Sequence, residues 1–377
     1  MEKRHFANIG KDISLLGFGC MRLPRIDPDK TDIDYEAGQA MVDAAIAGGV
    51  NYFDTAWPYH EGKSEPFIGH ALRHYPRESV YLATKLPVRA LKSADDVERI
   101  FNEQLERCTV DYFDFYLAHN LNRDNYAIHE SFGVYDLLRK KKEQGLIRHL
   151  GFSIHDNTDL VRRIVDTYEW DFVQIQLNYL DWDSGDAKGQ YAILTERNLP
   201  VVIMEPVRGG VLASLNDEAN SLLRAADPDA SAASWAIRYA ASLPGVMTVL
   251  SGMTALEHVE DNLKTMTGFK PLEQKDYELL TQVAAAFRAS GTIPCTGCRY
   301  CMDCPAGVDI PRVIAAYNYY CTSKNAMRFG SDYRTLRDSE LPRNCVGCGV
   351  CVEQCPQDID IPARMKEIAA FADSLNG

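Results

Sequence analysis

Four polar residues lie where consecutive strand-like segments of the sequence end. Asp54 is near the end of the apolar segment 51–56, Tyr59 follows on the next turn, and Lys85 and His119 each end a later strand-like segment. A buried carboxylate is costly unless a cation meets it. Because the carboxyl ends of the strands in a parallel barrel form one face, where active sites lie, we expect the four side chains to share a site.

Together these residue types could supply the proton that a carbonyl reduction needs. Tyr59 is the expected acid, and since an unperturbed phenol has a pKa of ~10, a nearby cation must favour the phenolate. Lys85 would be that cation, Asp54 would pair with its ammonium group, and His119 would orient the carbonyl by hydrogen bonding. Each residue alone would suit a salt-bridged scaffold position, but four in this order favour catalysis. None of them is redox-active, so the hydride must come from a cofactor.

The elements that must position these residues alternate regularly along the chain. Residues 5–19 predict a hairpin, with Gly10 at its turn, that runs into a first strand, so that Gly19, Cys20 and Met21 lie at the mouth of a barrel. The later predicted strands are 51–56, 80–86, 113–119, 149–154, 172–177, 201–205 and 248–251. The predicted helices are 35–47, 65–74, 94–108, 131–144, 160–168, 187–197, 231–242 and 256–266.

Eight strands that are each followed by a helix predict an α/β fold, the (β/α)8 or TIM barrel. The alternative is a doubly wound open sheet, which would require a G-x-G-x-x-G motif after the first strand. The sequence has GFGCMR there instead. Residues 276–289 predict one more helix, and Ser290 and Gly291 interrupt the pattern. We therefore place the barrel domain over 1–290 and a small, mainly helical second domain over 291–377.

The second domain contains two cysteine runs in an imperfect internal repeat, 294–311 and 344–362, each with a Cys-Pro pair and an Asp-Ile-Pro tail. The spacing of the second run, C-x2-C-x2-C-x3-C-P, is that of bacterial ferredoxins, in which the fourth cysteine serves the other cluster. The predicted ligands are Cys295, Cys298, Cys301 and Cys355 for one 4Fe-4S cluster, and Cys304, Cys345, Cys348 and Cys351 for the other. Structural zinc bound by paired C-x2-C units is the alternative. The remaining cysteines, Cys20, Cys108 and Cys321, are expected to be small buried apolar residues.

Composition limits the compartment and the partners. Eight of the eleven cysteines fall in the two runs, a pattern that indicates metal in a cytosolic chain. The amino terminus is polar, and no run of about eighteen apolar residues occurs. The net charge of −13 argues against nucleic-acid binding. We therefore expect a cytoplasmic protein with no membrane or nucleic-acid partner.

The motifs DTAxxY at 54–59, GxSE at 62–65, TK at 84–85 and LAH at 117–119 resemble those of the aldo-keto reductases over roughly the first three-quarters of the chain. The catalytic tetrad of that family is Asp, Tyr, Lys and His in this order. The resemblance implies hydride transfer between NAD(P)H and a carbonyl or alcohol, with the nicotinamide cofactor extended across the barrel mouth. The helical insert between the cysteine runs resembles the ferredoxin-like domains of larger oxidoreductases.

The same resemblance implies a set of cofactor contacts. They are Cys20, Met21, Asp54, Ser153, Gln174, Glu205, Pro206, Val207, Gly209, Ser251, Gly252, Met253, His258, Asp261 and Asn262. Two positions depart from the family pattern: Ile154 replaces the asparagine that contacts the carboxamide, and Ala255 replaces the basic residue that meets the 2′-phosphate. His258 and Arg208 are the nearest substitutes, so NADP(H), which the family favours, and NAD(H) both remain open.

The leading functional hypothesis is a nicotinamide-dependent carbonyl reductase or alcohol dehydrogenase whose two clusters carry electrons. One alternative is a reductase in which a ferredoxin-like partner feeds electrons through the clusters to the barrel site, and another is a plain reductase with structural clusters. A binding protein with little catalysis is a third, against which the intact tetrad argues. The residues that could line a substrate pocket are Trp57, His60, Asn120, Tyr179 and Trp182.

Overall fold

The computed structural model describes residues 1–27, 31–183 and 186–375. The chain forms two compact units, of which the first contains residues 1–207 and 233–273 and the second contains residues 208–232 and 274–377. The domain boundary placed after residue 290 stays a prediction.

A closed parallel barrel forms the centre of the first unit. The strands are β1 (Lys3–Phe6), β2 (Lys11–Ser14), β3 (Leu16–Gly19), β4 (Tyr52–Asp54), β5 (Tyr81–Leu86), β6 (Phe113–Leu121), β7 (Ile147–Ile154), β8 (Phe172–Gln176), β9 (Val201–Met204) and β10 (Val246–Gly252). Strands β3 to β10 pair in parallel in chain order, and β10 closes on β3. The predicted (β/α)8 barrel is confirmed, and β1 and β2 form the predicted antiparallel hairpin.

The helices follow the strands as predicted, with some additions. They are α1 (Tyr35–Ala47), α2 (Ser64–Leu72), α3 (Asp95–Cys108), α4 (Arg123–Ser131), α5 (Val134–Glu143), α6 (Thr158–Thr167), α7 (Ala187–Glu196), α8 (Asp217–Ala226), α9 (Ala232–Ser242), α10 (Leu256–Met266), α11 (Gln274–Arg288), α12 (Ile310–Ser323), α13 (Ala326–Arg334), α14 (Val350–Glu353) and α15 (Ile361–Ser374). Within the described ranges, no helix is both long enough and apolar enough to cross a membrane.

The helix predicted over 131–144 is confirmed as α5, which begins at Val134, whereas α4 before it was not predicted. Gly133 separates the two helices with φ 61°, a left-handed conformation that glycine adopts without steric cost and that an α-helix does not contain. Helix α4 begins directly after β6. There Asn122 caps the helix by accepting a hydrogen bond from the Asn125 amide.

The hairpin lies at one end of the barrel, and the predicted catalytic residues lie at the other end. Ile9 and Ile13 of the hairpin are buried in one cluster with Tyr52, Phe115 and Phe172, which lie at or near the amino ends of their strands. Large side chains therefore fill the amino-terminal end of the barrel interior. Strands β4, β5 and β6 deliver the predicted catalytic residues at its carboxyl end.

The internal repeat of the sequence is also a repeat of structure in the second unit. Each cysteine run leads to a helix that starts in the same way: Asp309 caps α12 and Asp360 caps α15, and a proline follows in the first turn. Ile310 and Ile361, the first residues of the two helices, are buried in the apolar core of this unit. The repeat thus forms two equivalent half-sites around one core.

Candidate active site and cluster sites

Strand ends and the turn after β4 bring the four predicted catalytic residues to the carboxyl end of the barrel. Asp54 is the last residue of β4, Lys85 lies one residue before the end of β5, and His119 lies near the end of β6. Tyr59 begins the short turn Tyr59–Gly62 after β4. All four side chains are buried or nearly so, with Lys85 0% exposed.

The ammonium group of Lys85 is the centre of this group. Its Nζ donates to Asp54 Oδ1 at 2.6 Å, to the Thr55 carbonyl oxygen at 2.7 Å and to the Tyr59 hydroxyl at 3.4 Å. The His119 ring stands edge-on to the Tyr59 ring, with the centroids 6.0 Å apart. The pairing of a buried cation with a carboxylate and the approach of that cation to a phenol match the geometry expected from the sequence.

Burial controls the protonation of these side chains. It raises the pKa of Asp54 and lowers that of Lys85, and the attraction between the two charges partly offsets both changes. The pKa of Tyr59 lies well above its ordinary value, because burial and the carboxylates of Asp54 and Glu205 disfavour the phenolate. The pKa of His119 lies well below its ordinary value because of burial and, secondarily, of Lys85. At neutral pH the site therefore contains a protonated phenol and a neutral imidazole.

A buried hydrogen-bond network fixes the strand that carries Lys85. Glu65, from the GxSE motif, accepts from the Thr84 hydroxyl at 2.7 Å and from the Gln104 amide at 2.5 Å. Gln104 also donates to the Lys85 carbonyl oxygen at 3.1 Å, and Arg107 approaches the second oxygen of Glu65 at 3.4 Å. The motif residue Glu65 thus fixes the backbone that carries Lys85, through Thr84 and Gln104.

The predicted cofactor residues on β7, β8 and β10 lie at the same end of the barrel. Ser153 is buried near the end of β7, where its oxygen accepts from the Asn120 amide at 2.8 Å. Gln174 on β8 is buried, and its Oε1 has no hydrogen-bond partner among the described residues. At the end of β10, Ser251 accepts from Asn262 of α10 at 2.9 Å. An orphaned amide oxygen in this position suits an amide donor such as a carboxamide.

The remaining predicted cofactor residues differ in their exposure. Cys20 and Met253 are buried, as is Pro206, whereas Gly252 and His258 are exposed, and Met21, Val207, Gly209 and Asp261 are half-buried. His258 accepts at Nδ1 from the Thr254 amide at 3.3 Å, which joins it to the start of α10. The positive ends of backbone amides gather at such a helix start, which suits an anionic group.

Sequence reasoning missed two residues at this face. Arg22, in the turn after β3, lies 3.7 Å from Glu205 and packs its side chain against Gly252, so it contacts two of the predicted cofactor segments. His155 follows β7, and burial lowers its pKa to about 4. A basic or titratable residue directly after a strand end was the available signal for both.

In the second unit the cysteines surround two cavities. Cys295, Cys298, Cys301 and Cys355 line the first cysteine cavity. Cys304, Cys345, Cys348 and Cys351 line the second cysteine cavity. These are the two ligand sets predicted from the spacing, each with three cysteines of one run and the fourth from the other.

The two cysteine cavities share a wall and differ in exposure. Ile310 and Ile361 line both cavities. Cys348 in the second cavity is exposed, whereas the other seven cysteines of the two sets are buried or half-buried. Burial and the three neighbouring thiols raise the pKa of Cys301 in the first cavity, as they do for Cys351 in the second. Four thiols that converge on one cavity fit a cluster with thiolate ligands.

The structure thus has a closed parallel barrel with a buried lysine–carboxylate pair beside a phenol at its carboxyl face. The sequence profile of the aldo/keto reductase family matches residues 15–285, and the chain belongs to that family. The profile of a 4Fe-4S dicluster domain matches residues 294–359. The expected family and the iron–sulfur character of the second domain are thus confirmed, and the protein is an NAD(P)H-dependent oxidoreductase.

Several proteins are similar to the barrel portion. An uncharacterized oxidoreductase of Bacillus subtilis, YqkF, is 26% identical over 73% of this chain and 94% of its own length. L-galactose dehydrogenase of Arabidopsis thaliana is 26% identical over 76% of this chain and 94% of its own. The NADH-specific methylglyoxal reductase of Escherichia coli is 26% identical over 76% of this chain and 99% of its own.

Solved structures share the fold. An aldo-keto reductase from Bacillus halodurans in its holo form superimposes with a TM-score of 0.62 at 24% identity, covering 76% of this chain and 97% of the other. A thermostable aldo-keto reductase solved with the inhibitor epalrestat gives a TM-score of 0.62 at 23% identity, over 75% of this chain and 100% of the other. These likenesses concern the barrel alone.

Proposed function

We propose that the protein transfers hydride between NAD(P)H and a carbonyl or alcohol substrate, with Tyr59 as the general acid. The observation that carries this proposal is the buried Lys85 ammonium group, 2.6 Å from Asp54 and 3.4 Å from the Tyr59 hydroxyl. Reduction of a carbonyl requires a proton at the oxygen, and Tyr59, whose pKa is raised, holds one at neutral pH.

Each member of the tetrad has a distinct role in this proposal. As the proton leaves Tyr59, the charge that develops on its oxygen is stabilised by Lys85, which Asp54 and the Thr55 carbonyl hold in place. His119, which stands edge-on to Tyr59, is neutral and can donate a hydrogen bond to the substrate oxygen without competing for the proton. In the oxidation direction Tyr59 would accept the proton instead.

The residues at the barrel mouth fit a nicotinamide cofactor, which supplies the hydride when bound. Gln174 offers an unpartnered buried oxygen to a carboxamide, and the hydroxyl of Ser153 lies near it on the next strand. The start of α10, with Gly252 and His258 exposed, would hold the adenosine portion. The other contacts implied by the family, from Cys20 to Asn262, are proposed as the remainder of the same site.

The preference between the two nicotinamides should be weak. Ala255 precedes α10 where the family has a basic residue, and His258 is the exposed substitute. A related protein from Escherichia coli is named as NADH-specific. We propose that this protein uses both NADPH and NADH, with discrimination smaller than a guanidinium–phosphate contact would give.

For the second unit we propose two 4Fe-4S clusters, one in each cysteine cavity. The complete four-cysteine lining of each cavity supports this assignment. The shared wall of Ile310 and Ile361 places the two sites side by side, which suits electron transfer between them.

A one-electron carrier such as a ferredoxin-like protein is the partner that we propose for these clusters. Beside the exposed Cys348, Val346 is 72% exposed and Val350 is 38% exposed, so the second cavity has an apolar rim open to solvent. Redox partners dock by small surfaces of this kind, with the cluster close behind the contact.

The alternative of structural clusters also has an observation in its favour. Cys301 and Cys351 belong to the buried core of the second unit, so ligation at both cavities would stabilise that core directly. A measurement of cluster reduction by a one-electron donor separates the two roles.

Metal analysis and an activity screen under anaerobic conditions test the proposal. Protein purified without oxygen should contain roughly eight irons per chain and absorb broadly near ~400 nm, and it should reduce a member of a carbonyl panel with NADPH or NADH. Cys348→Ala should lose iron from the second cavity, whereas the matched variant Cys321→Ala, at a buried cysteine outside both cavities, should keep all of it. Stoichiometric zinc without iron would overturn the cluster assignment.

A further inference from the structure

The surroundings of the two cysteine cavities differ in charge. In the described part of the chain, the residues that line the second cavity are its cysteines and apolar or glycine residues, with no charged side chain among them. The first cavity is lined by the charged Arg299 and the polar Gln357 and Thr296 in addition to its cysteines and apolar residues. Two clusters of the same chemistry would therefore sit in different electrostatic environments.

A second arginine, from a distant part of the sequence, contacts a residue that lines the first cavity. Arg208 is 7% exposed, and its Nη2 donates to Gln357 Oε1 at 3.4 Å. Gln357 lies two residues after the ligand Cys355 and lines the cavity with it. The guanidinium group is thus held within the second unit, one hydrogen bond away from the wall of the first cavity.

The backbone around Arg208 is unusual in a way that fixes this placement. Arg208 takes φ 51°, and Gly209 and Gly210 follow at φ 66° and φ 95°. A left-handed conformation is costly for a residue with a side chain and persists where the surroundings over-determine it. Gly209 and Gly210 have no side chains, so the backbone can turn directly after Arg208 without steric cost. This turn directs the arginine side chain toward Gln357.

We infer that Arg208, acting through Gln357, raises the reduction potential of the cluster held by Cys295, Cys298, Cys301 and Cys355, so that this cluster is reduced before the other. This inference rests on the proposed pair of clusters. Reduction adds one negative charge to a cluster that its thiolates already make anionic, and a buried cation favours that added charge. Arg208 is a positioning residue in this sense, since it acts on the cluster through a neighbour and not as a ligand.

A redox titration followed by electron paramagnetic resonance tests the inference on the intact, cluster-loaded protein. In Arg208→Gln, the ratio of reduced to oxidised first cluster at a fixed potential should fall about tenfold. For a one-electron couple this corresponds to a fall of ~59 mV in the reduction potential of that cluster. Arg208→Lys keeps the charge and should restore most of that shift. Cys348→Ser, at a ligand of the second cavity, identifies which signal belongs to the second cluster, and this signal should not shift in Arg208→Gln.

Arg299→Gln is the matched control at the same cavity. Its side chain is 44% exposed and lies 3.7 Å from Asp309, so solvent and a carboxylate already screen its charge, and a clearly smaller shift is expected. Equal potentials in wild type and Arg208→Gln, with both clusters present, would overturn the inference while leaving the proposed function intact. Absence of clusters from the wild-type protein would overturn the proposed function itself.

Discussion

At the scale of single residues, burial controls the protonation of the Tyr59 hydroxyl and of Lys85. Lys85 would by itself favour the Tyr59 phenolate, yet the pKa of Tyr59 is raised, chiefly because the hydroxyl is buried and because Asp54 and Glu205 lie near it. Lys85 itself has a lowered pKa, since its full burial outweighs the pairing with Asp54. The phenol therefore keeps its proton at neutral pH, which suits the general-acid role proposed for Tyr59.

Removal of the Tyr59 hydroxyl tests this role. Tyr59→Phe should lower the carbonyl-reducing rate by ~10²–10⁴, because the ring and its packing remain while the acid is lost. Steady-state assays and cofactor-binding titrations of the same preparation would measure the effect. Tyr52→Phe is the matched control: Tyr52 is fully buried on the same strand-turn segment, and its hydroxyl has no partner among the described residues. A Tyr59→Phe enzyme as active as Tyr52→Phe would contradict the assignment.

The residue at position 255 offers a second test at this scale. Wild-type protein should bind NADPH and NADH with dissociation constants within about tenfold of each other. This corresponds to a difference in binding free energy of at most ~1.4 kcal/mol. Ala255→Arg adds a guanidinium group before α10 and should strengthen NADPH binding by about tenfold while leaving NADH unchanged. Fluorescence titration with each nucleotide measures both. A strong wild-type preference for NADPH that disappears in His258→Ala would show that His258 already performs this task.

At the scale of elements, the turn that carries Tyr59 depends on a histidine. His60 takes φ 51°, and its Nε2 accepts a hydrogen bond from the Leu23 amide at 3.2 Å, which joins the turn after β4 to the segment after β3. Burial, helped by Arg25 and Lys63, lowers the pKa of His60 to about 4. A protonated His60 could no longer accept from Leu23, so acid should loosen this connection.

The pH dependence of stability measures that effect. Between about pH 6.5 and pH 4 the unfolded chain binds more protons at His60 than the folded chain does, so the free energy of unfolding falls as the pH falls through this window. His60→Gln provides an acceptor that does not titrate, and the melting temperature of this variant should therefore fall less between about pH 7 and about pH 4.5. His74→Gln, at an exposed histidine, should behave as wild type. Parallel slopes in all three proteins would refute the role of His60.

The observed strands and helices also show which parts of the fold could be predicted from the sequence. The apolar runs of the barrel strands and the helices α1 and α10 were predicted closely. Helices α4, α8, α13 and α15 were not predicted, although Asn122, Asn216, Asn325 and Asp360 cap them and were visible signals. The tetrad could be predicted because its spacing follows strand ends, whereas Arg22 and His155 depend on loop paths that spacing does not determine.

At the scale of the whole molecule, the proposed function combines two kinds of electron chemistry in one chain. A nicotinamide gives up two electrons together as hydride, whereas each cluster accepts one at a time, and a flavin normally stands between them. No segment resembling a flavin-binding site occurs in the sequence beyond the loops assigned to the nicotinamide. The exposed rim around Cys348 instead favours exchange with an outside one-electron carrier.

NADPH alone should therefore fail to reduce the clusters, while a strong one-electron donor should succeed. Anaerobic protein is treated with NADPH or with dithionite, and electron paramagnetic resonance is recorded after each addition. A cluster signal with dithionite only is the expected result, and Tyr59→Phe should give the same signal, since its acid role does not touch the clusters. Val346→Glu places a charge on the rim and should slow reduction by a reduced ferredoxin several-fold, as rim charges act mainly on association. A full cluster signal from NADPH without bound flavin would refute this electron path. If neither NADPH nor dithionite reduces the clusters, the result would favour a structural role for them.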